Sequence, residues 1–202
     1  LSEAREPPEE GAIGPQRLEA FSDGVIAIIL TVMVLELKVP HGVTTASLED
    51  LAPQLASYVL SFVVVASMWV NHHHAIRIVE RVDGVFLWKN IHLLFWMSLV
   101  PFTTAYVGEN YAAPLPVALY GGNVCAFSLS FLFLLQGVRS RARPGLAGAS
   151  GRGVVKSWIA IAFYAASVPL AWVSVWSSIA IFVVIPLMFF LPEKSYGVGG
   201  KR

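Results

Sequence analysis

Cysteine is nearly missing from this chain. Cys125 stands alone among 202 residues, so no intrachain disulfide can form, and in its apolar run it reads as a small hydrophobic filler. Charge is scarce as well. Asp, Glu, Lys and Arg make up 13% of the sequence, against about 25% in a soluble domain. There is no Gly-rich phosphate loop, no nucleophile elbow, no metalloprotease helix motif and no carboxylate pair spaced for acid–base work. The common enzyme classes are thereby set aside, and the reading is of a protein that does no chemistry and needs no cofactor. The Thr-Val-Gly-Tyr-Gly carbonyl filter of many cation channels is also missing. No basic stretch leading into an apolar one opens the chain, so its first residues do not read as a cleavable signal peptide. A net charge of +1 says nothing about partners, and nothing in the basic stretches suggests nucleic-acid binding.

What the chain has is apolar length. Hydrophobic residues make up 56% of it, in continuous runs that exclude the short alternating strands of a membrane β-barrel. The expectation is an all-α integral membrane protein with six transmembrane helices, near Leu18–Val39, Leu51–Ile76, Gly84–Val107, Leu115–Val138, Val154–Val173 and Ser174–Leu191. Pro40-His41-Gly42 and Gly108-Glu109-Asn110 are strong breakers that end the first and third. Pro101, Pro169 and Pro186 fall inside spans, where neighbours re-satisfy the backbone. The last two runs lack a breaker between them, but one helix from Val154 to Leu191 would reach roughly 57 Å. Two spans joined by a tight turn, with Trp172 and Trp176 at an interface, fit better. Residues 1–16 read as a disordered cytoplasmic tail, 17–192 as one transmembrane domain and 193–202 as a second cytoplasmic tail.

The basic residues orient the bundle. Of 14 Lys and Arg, Lys38 alone falls on one side of six spans; the others cluster at Arg5–Arg17, Arg77–Lys89, Arg139–Lys156 and Lys194–Arg202. By the positive-inside rule the populated side is cytoplasmic, with both termini there and the chain multi-pass in the cell (plasma) membrane.

On the first span, plotted at 100° per residue, Gly24, Ile28, Thr31 and Leu35 share a stripe about 60° wide. Two readings are open. The stripe packs against another helix of the chain, with Gly24 allowing close approach, or copies of it face one another around a symmetry axis and line a narrow pore. In the second, Ile28 and Leu35 form apolar constrictions and Thr31 a ring of hydroxyls between them. Ser22 and Asp23 lie well off this stripe. An ionised Asp inside a span needs a partner, and Glu19, four residues away, would repel it. Its partner is expected from another helix, with His72, His73, His74 and His92 as candidates. Adjacent histidines splay by 100° each and do not chelate one metal ion; interhelical hydrogen bonding is the reading for them. Glu36 and Lys38 read as solvated residues at the helix mouth.

These residues resemble a known family. Arg17-x-x-x-Phe21-Ser22-Asp23, followed by an apolar helix carrying Thr31, is similar to the signature of the lysosomal-type transmembrane potassium channels, the transmembrane protein 175 family, and Trp69-x-Asn71-His72-His73 looks like its second helix. The resemblance covers the whole six-span chain. A single six-span unit is similar to the prokaryotic members; the animal channels carry two. The resemblance implies a potassium-permeable, voltage-insensitive leak channel, a homotetramer around four copies of the first helix. It further implies an apolar constriction at Ile28, a pore threonine at Thr31 and an outer leucine at Leu35. It places Arg17, Ser22 and Asp23 in an interhelical polar network near the cytoplasmic side, which His72, His73 and His92 are expected to join. The animal members have a serine where this chain has Ala27.

The expected function is a passive channel for potassium and other monovalent cations. The rival is a proton-coupled or proton-conducting secondary transporter that uses Asp23 and the histidines of the second and third spans as titrating groups. Transporters usually show internal repeats and broken helices at mid-membrane, and the first span has no break. A membrane enzyme built on the histidines is a third, poorly supported reading.

Overall fold

The apolar runs fold as helices joined by short connections in the computed structural model, which describes residues 14–40, 42–143 and 151–190. Among these residues the elements are α1 (Pro15–Leu35), α2 (Thr45–Glu49), α3 (Ala52–Arg77), α4 (Gly84–Ser98), α5 (Val100–Glu109), α6 (Pro114–Arg141), α7 (Gly151–Val173) and α8 (Val175–Phe190). The chain is an all-α, multi-pass membrane protein. Among the described residues five helical segments are long and apolar enough to span a bilayer, α2 with α3 and α4 with α5 each counting as one, and α8 adds a shorter apolar helix. Most of residues 1–16, the tail 193–202 and the middle of the Arg139–Lys156 loop lie outside the described residues, as does His41.

The first span is shorter than its apolar run. Helix α1 ends at Leu35, a turn before Val39, because the polar residues that follow are drawn to solvent and Lys38 is clasped by Glu109 at the end of α5. That carboxylate raises the pKa of the Lys38 ammonium. At 21 residues, α1 still covers about 31 Å. The five-residue α2 is held by a capping box in which Thr44 and Ser47 satisfy each other's backbone N–H groups.

The third span breaks where Pro101 removes a backbone donor. Helix α4 stops at Ser98 and α5 restarts at Val100. Asn123 of α6 repairs the gap. With its amide nitrogen turned toward the kink it donates to the Trp96 carbonyl at 2.9 Å, and its oxygen accepts from the Val100 N–H and from Thr103 Oγ1, each at 3.3 Å. Between α7 and α8 the division falls at Ser174, whose Oγ accepts from the Ser177 N–H at 3.3 Å and so caps the new helix. The hairpin is closed by Ser178 Oγ donating to the Ser167 carbonyl at 2.9 Å and by the tilted rings of Phe182 and Tyr164, 6.3 Å apart.

At the end of the bundle where α3, α4 and α6 meet, Asp83 caps α4 by accepting from the Phe86 N–H at 2.8 Å and accepts from Arg141 Nε at 2.9 Å. A Val79–Ala142 bridge clips the two connections together. Phe86 packs so close over Gly137 that a Cβ there would lie 2.9 Å from the ring, so this crossing requires glycine. Arg141, and after it the Phe86 N–H, holds the Asp83 carboxyl below the ordinary carboxylate range. A depressed carboxylate stabilises above its unfolded pKa and stops doing so as pH falls through its folded value. The thermal midpoint of Asp83→Asn is therefore expected below that of the unaltered protein at neutral pH, with the gap closing on acidification. A gap independent of pH would show that the cap alone matters.

Candidate functional site

Helix α1 has two faces. Leu18, Ser22, Ile26, Ile29 and Met33 are buried, recurring every three or four residues against α3, α4 and α5. The opposite face carries Phe21, Gly24, Ala27, Ile28, Thr31 and Leu35, all exposed. Ile28 is 62% exposed and Leu35 79%, whereas Ile29, one residue on, is 4% exposed. A Cβ at Gly24 would meet no neighbouring element among the described residues within 4 Å. The stripe Gly24–Ile28–Thr31–Leu35 therefore packs against no other helix among the described residues. Thr31 Oγ1 donates to the Ile28 carbonyl at 2.9 Å. Its proton is thus engaged, and its oxygen lone pairs are what the hydroxyl offers outward.

Behind this face, polar side chains tie α1 to α3 and α4. Ser22 Oγ donates to the Leu18 carbonyl at 2.8 Å and accepts from Asn90 Nδ2 at 2.9 Å. The Asn90 oxygen lies 2.8 Å from His72 Nε2. Because Asn90 presents its oxygen there, the donor sequence puts the histidine's proton on Nε2 and leaves a lone pair on Nδ1, which is buried and has no partner among the described residues. Ser22, His72 and Asn90 are all at 0% exposure, as interhelical hydrogen bonds inside a bilayer require.

Next to this buried chain, Asp23 Oδ1 accepts from the Trp69 indole N–H at 2.8 Å. His73 Nδ1 lies 2.7 Å from Glu19 Oε1, without the alignment of a hydrogen bond. The Trp69 and His73 rings stand 5.9 Å apart. Glu19 and Asp23, expected to repel each other, are given separate partners on α3.

The structure brings Ser22, Asp23, His72 and His73 to one level of the bundle and leaves two expected members out. Arg17 is exposed, and its side chain has no partner among the described residues. His92 faces outward and accepts from the Trp96 indole N–H at 3.2 Å, one turn along its own helix. The partner of Asp23 comes from another helix, as expected, but is an indole and not an imidazole. His74 Nδ1 turns back to the Val70 carbonyl at 2.8 Å, so the three adjacent histidines serve three different partners. Asn90 and Trp69 were missed as members. The legible signal for Asn90 was a lone amide inside an apolar helix, which must be paired. No three His, Cys, Asp or Glu side chains converge among the described residues.

This geometry gives weight to the comparisons with known proteins. The sequence model described as Endosomal/lysosomal potassium channel TMEM175 matches residues 17–101, from the start of the Arg17–Asp23 signature to the kink in the third span. A potassium channel of Chryseobacterium sp. (strain P1-3) is 38% identical over 184 residues, covering 88% of this chain and 93% of that protein. The crystal structure of a lysosomal potassium-selective channel TMEM175 homolog from Chamaesiphon minutus superposes with a TM-score of 0.79 at 31% identity, covering 87% of this chain and 95% of that one. A human protein named endosomal/lysosomal proton channel TMEM175 is 26% identical over 116 residues, 55% of this chain and 23% of its own length. With identity of this level across nearly the whole of both bacterial chains, the same fold and the family's own sequence pattern at its N-terminal half, this chain belongs to the TMEM175 family.

Proposed function

We propose that the chain is a potassium-permeable leak channel in which four copies of α1 stand around a central axis and line the pore. The observation that carries this reading is the exposed face of α1. An apolar helix packed on one side by its own chain turns Gly24, Ile28, Thr31 and Leu35 away from every other residue described. The names of the Chryseobacterium and Chamaesiphon relatives support potassium as the ion. Rings of Ile28 and Leu35 make a narrow apolar passage that an ion enters only by shedding water, and the cost is larger for sodium than for potassium. The Thr31 oxygens between the rings replace part of the lost hydration. The Ser22–Asn90–His72 chain and the Asp23–Trp69 pair hold each α1 in the orientation that the pore needs.

Valine in place of Thr31 keeps the branched shape and loses the oxygen. Thr31→Val is expected to reduce potassium current or potassium preference with the oligomer intact, read from bilayer currents beside size-exclusion profiles. An unchanged current would remove the hydroxyl ring from the mechanism.

The proton reading is favoured by the human relative's name and by the titratable groups on α1 and α3. Those groups lie off the Ile28–Thr31 stripe. The two readings separate in potassium-loaded liposomes. A channel releases potassium only when a protonophore supplies the compensating charge, whereas an electroneutral potassium–proton exchanger releases it without one. Release that does not depend on the protonophore would overturn the channel reading. We further place the protein in the cell membrane with both termini cytoplasmic. Reporters at either end and in the Arg139–Lys156 loop are expected to read cytoplasmic, and an external C-terminus would mean that α8 does not cross.

A further inference from the structure

Between α3, α5, α6 and α8, away from the exposed face of α1, lies a cavity of about 400 Å³. Small-molecule sites fall at roughly 300–1,000 Å³. Its walls are mostly apolar, formed by side chains such as Leu60, Val107, Ile179 and Phe182. Tyr111 and Trp176 stand together at one end, ring centroids 6.2 Å apart. Ala52 and Ala56 on α3 and Val183 on α8 are exposed along the same slot, so the cavity opens at the side of the bundle.

Three hydroxyls meet on its inner wall. Thr104 Oγ1 donates to Ser61 Oγ at 2.8 Å, and Ser61 Oγ donates to Tyr120 OH at 3.0 Å. Ser61, Thr104 and Tyr120 are exposed by only 1%, 5% and 3%. Three hydroxyls carry three protons, and the bonds among them use two. No other acceptor takes a proton from the trio among the described residues. Whichever way the bonds run, one O–H is left over in a buried, apolar place, where an unused donor is costly.

We propose that this cavity is a binding site for a small, uncharged lipophilic molecule carrying one hydrogen-bond acceptor, a ketone or ether oxygen for example. The apolar walls exclude a charged head, which would be stripped of water without a counter-charge. The surplus proton selects an acceptor over a pure hydrocarbon. The site is separate from the α1 face and does not depend on what that face does.

Benzophenone, a neutral ketone that is its own photolabel, tests this on the purified full chain in lipid nanodiscs. Adducts are expected to concentrate on peptides carrying Ser61, Tyr120 and Ile179. Excess dicyclohexyl ketone should displace the label, and diphenylmethane, of similar size without an acceptor, should do so about fivefold less well, the worth of one net hydrogen bond. Ser61→Ala, Thr104→Val and Tyr120→Phe combined exchange every partner for an apolar group of like shape, which is nearly neutral for stability. In that variant labelling should fall and the two competitors should become equal. Label spread over outward positions such as Trp158 and Phe163 without displacement, or equal displacement by both competitors on the unaltered protein, would overturn the proposal. The competitor pair decides it even if the triple variant fails to fold.

Discussion

Ile28→Asn is expected to raise the conductance of the reconstituted protein and to raise sodium current more than potassium current. The side chain is 62% exposed on a face that the chain leaves uncovered, so the change disturbs no packing within the chain. In the proposed pore an apolar ring at that level excludes water, and an ion pays the dehydration cost there; an amide ring holds water and lowers the cost. Each ~1.4 kcal/mol taken off the barrier multiplies the rate about tenfold. Sodium gains more because its tighter hydration shell made it the more disfavoured ion. Ile29→Asn is the matched comparison. Ile29 is 4% exposed and packed inside the chain, so an amide there should lower the yield of folded protein and leave the selectivity of what survives unchanged. Single-channel recording of the two variants checks both halves. If Ile29→Asn alters permeation and Ile28→Asn does not, the pore stripe lies on the other face of α1.

Asn90→Leu, behind the exposed face of α1, is expected to cost a large share of the protein's stability. Asn90 donates to Ser22 and faces His72 with its oxygen, and all three side chains are fully buried. Leucine fills much of the space but leaves the His72 Nε2–H without an acceptor, on a ring whose Nδ1 already has no partner. An orphaned buried donor costs about 1–3 kcal/mol. Adding His72→Phe removes the orphan and should recover part of the loss, a coupling that a double-mutant cycle measures directly. Thermal midpoints of the purified protein in detergent read it out. If the two losses simply add, the Ser22–Asn90–His72 chain is two separate contacts and does not act as one brace.

The spans were legible because their apolar runs are long and charge-poor, and length alone required a division between Val154 and Leu191. What set the ends was less visible. The break at Ser174 rests on one hydroxyl cap, and α2 on a Thr44–Ser47 box in a segment too short to show periodicity. The kink at Pro101 was legible as a proline inside a span, but its repair by Asn123 from α6 was not, since nothing local marks an amide on the following helix as the one that reaches the gap. Within the candidate site, the stripe Gly24–Ile28–Thr31–Leu35 follows from α1's own periodicity, which is a local property. The polar partners depend on which helices meet. Asp23 therefore went to Trp69 and Ser22 to Asn90, while His92 turned outward to Trp96, a choice fixed by helix rotation and not by residue type.

We propose that the exposed face of α1 forms a passive pathway that favours potassium. The most direct test is the reversal potential of purified protein in a planar bilayer with potassium on one side and sodium on the other, at equal pH. The current is expected to reverse close to the potassium equilibrium potential, independent of a superimposed proton gradient. A reversal that follows the proton gradient, or no potassium current at all, would contradict it.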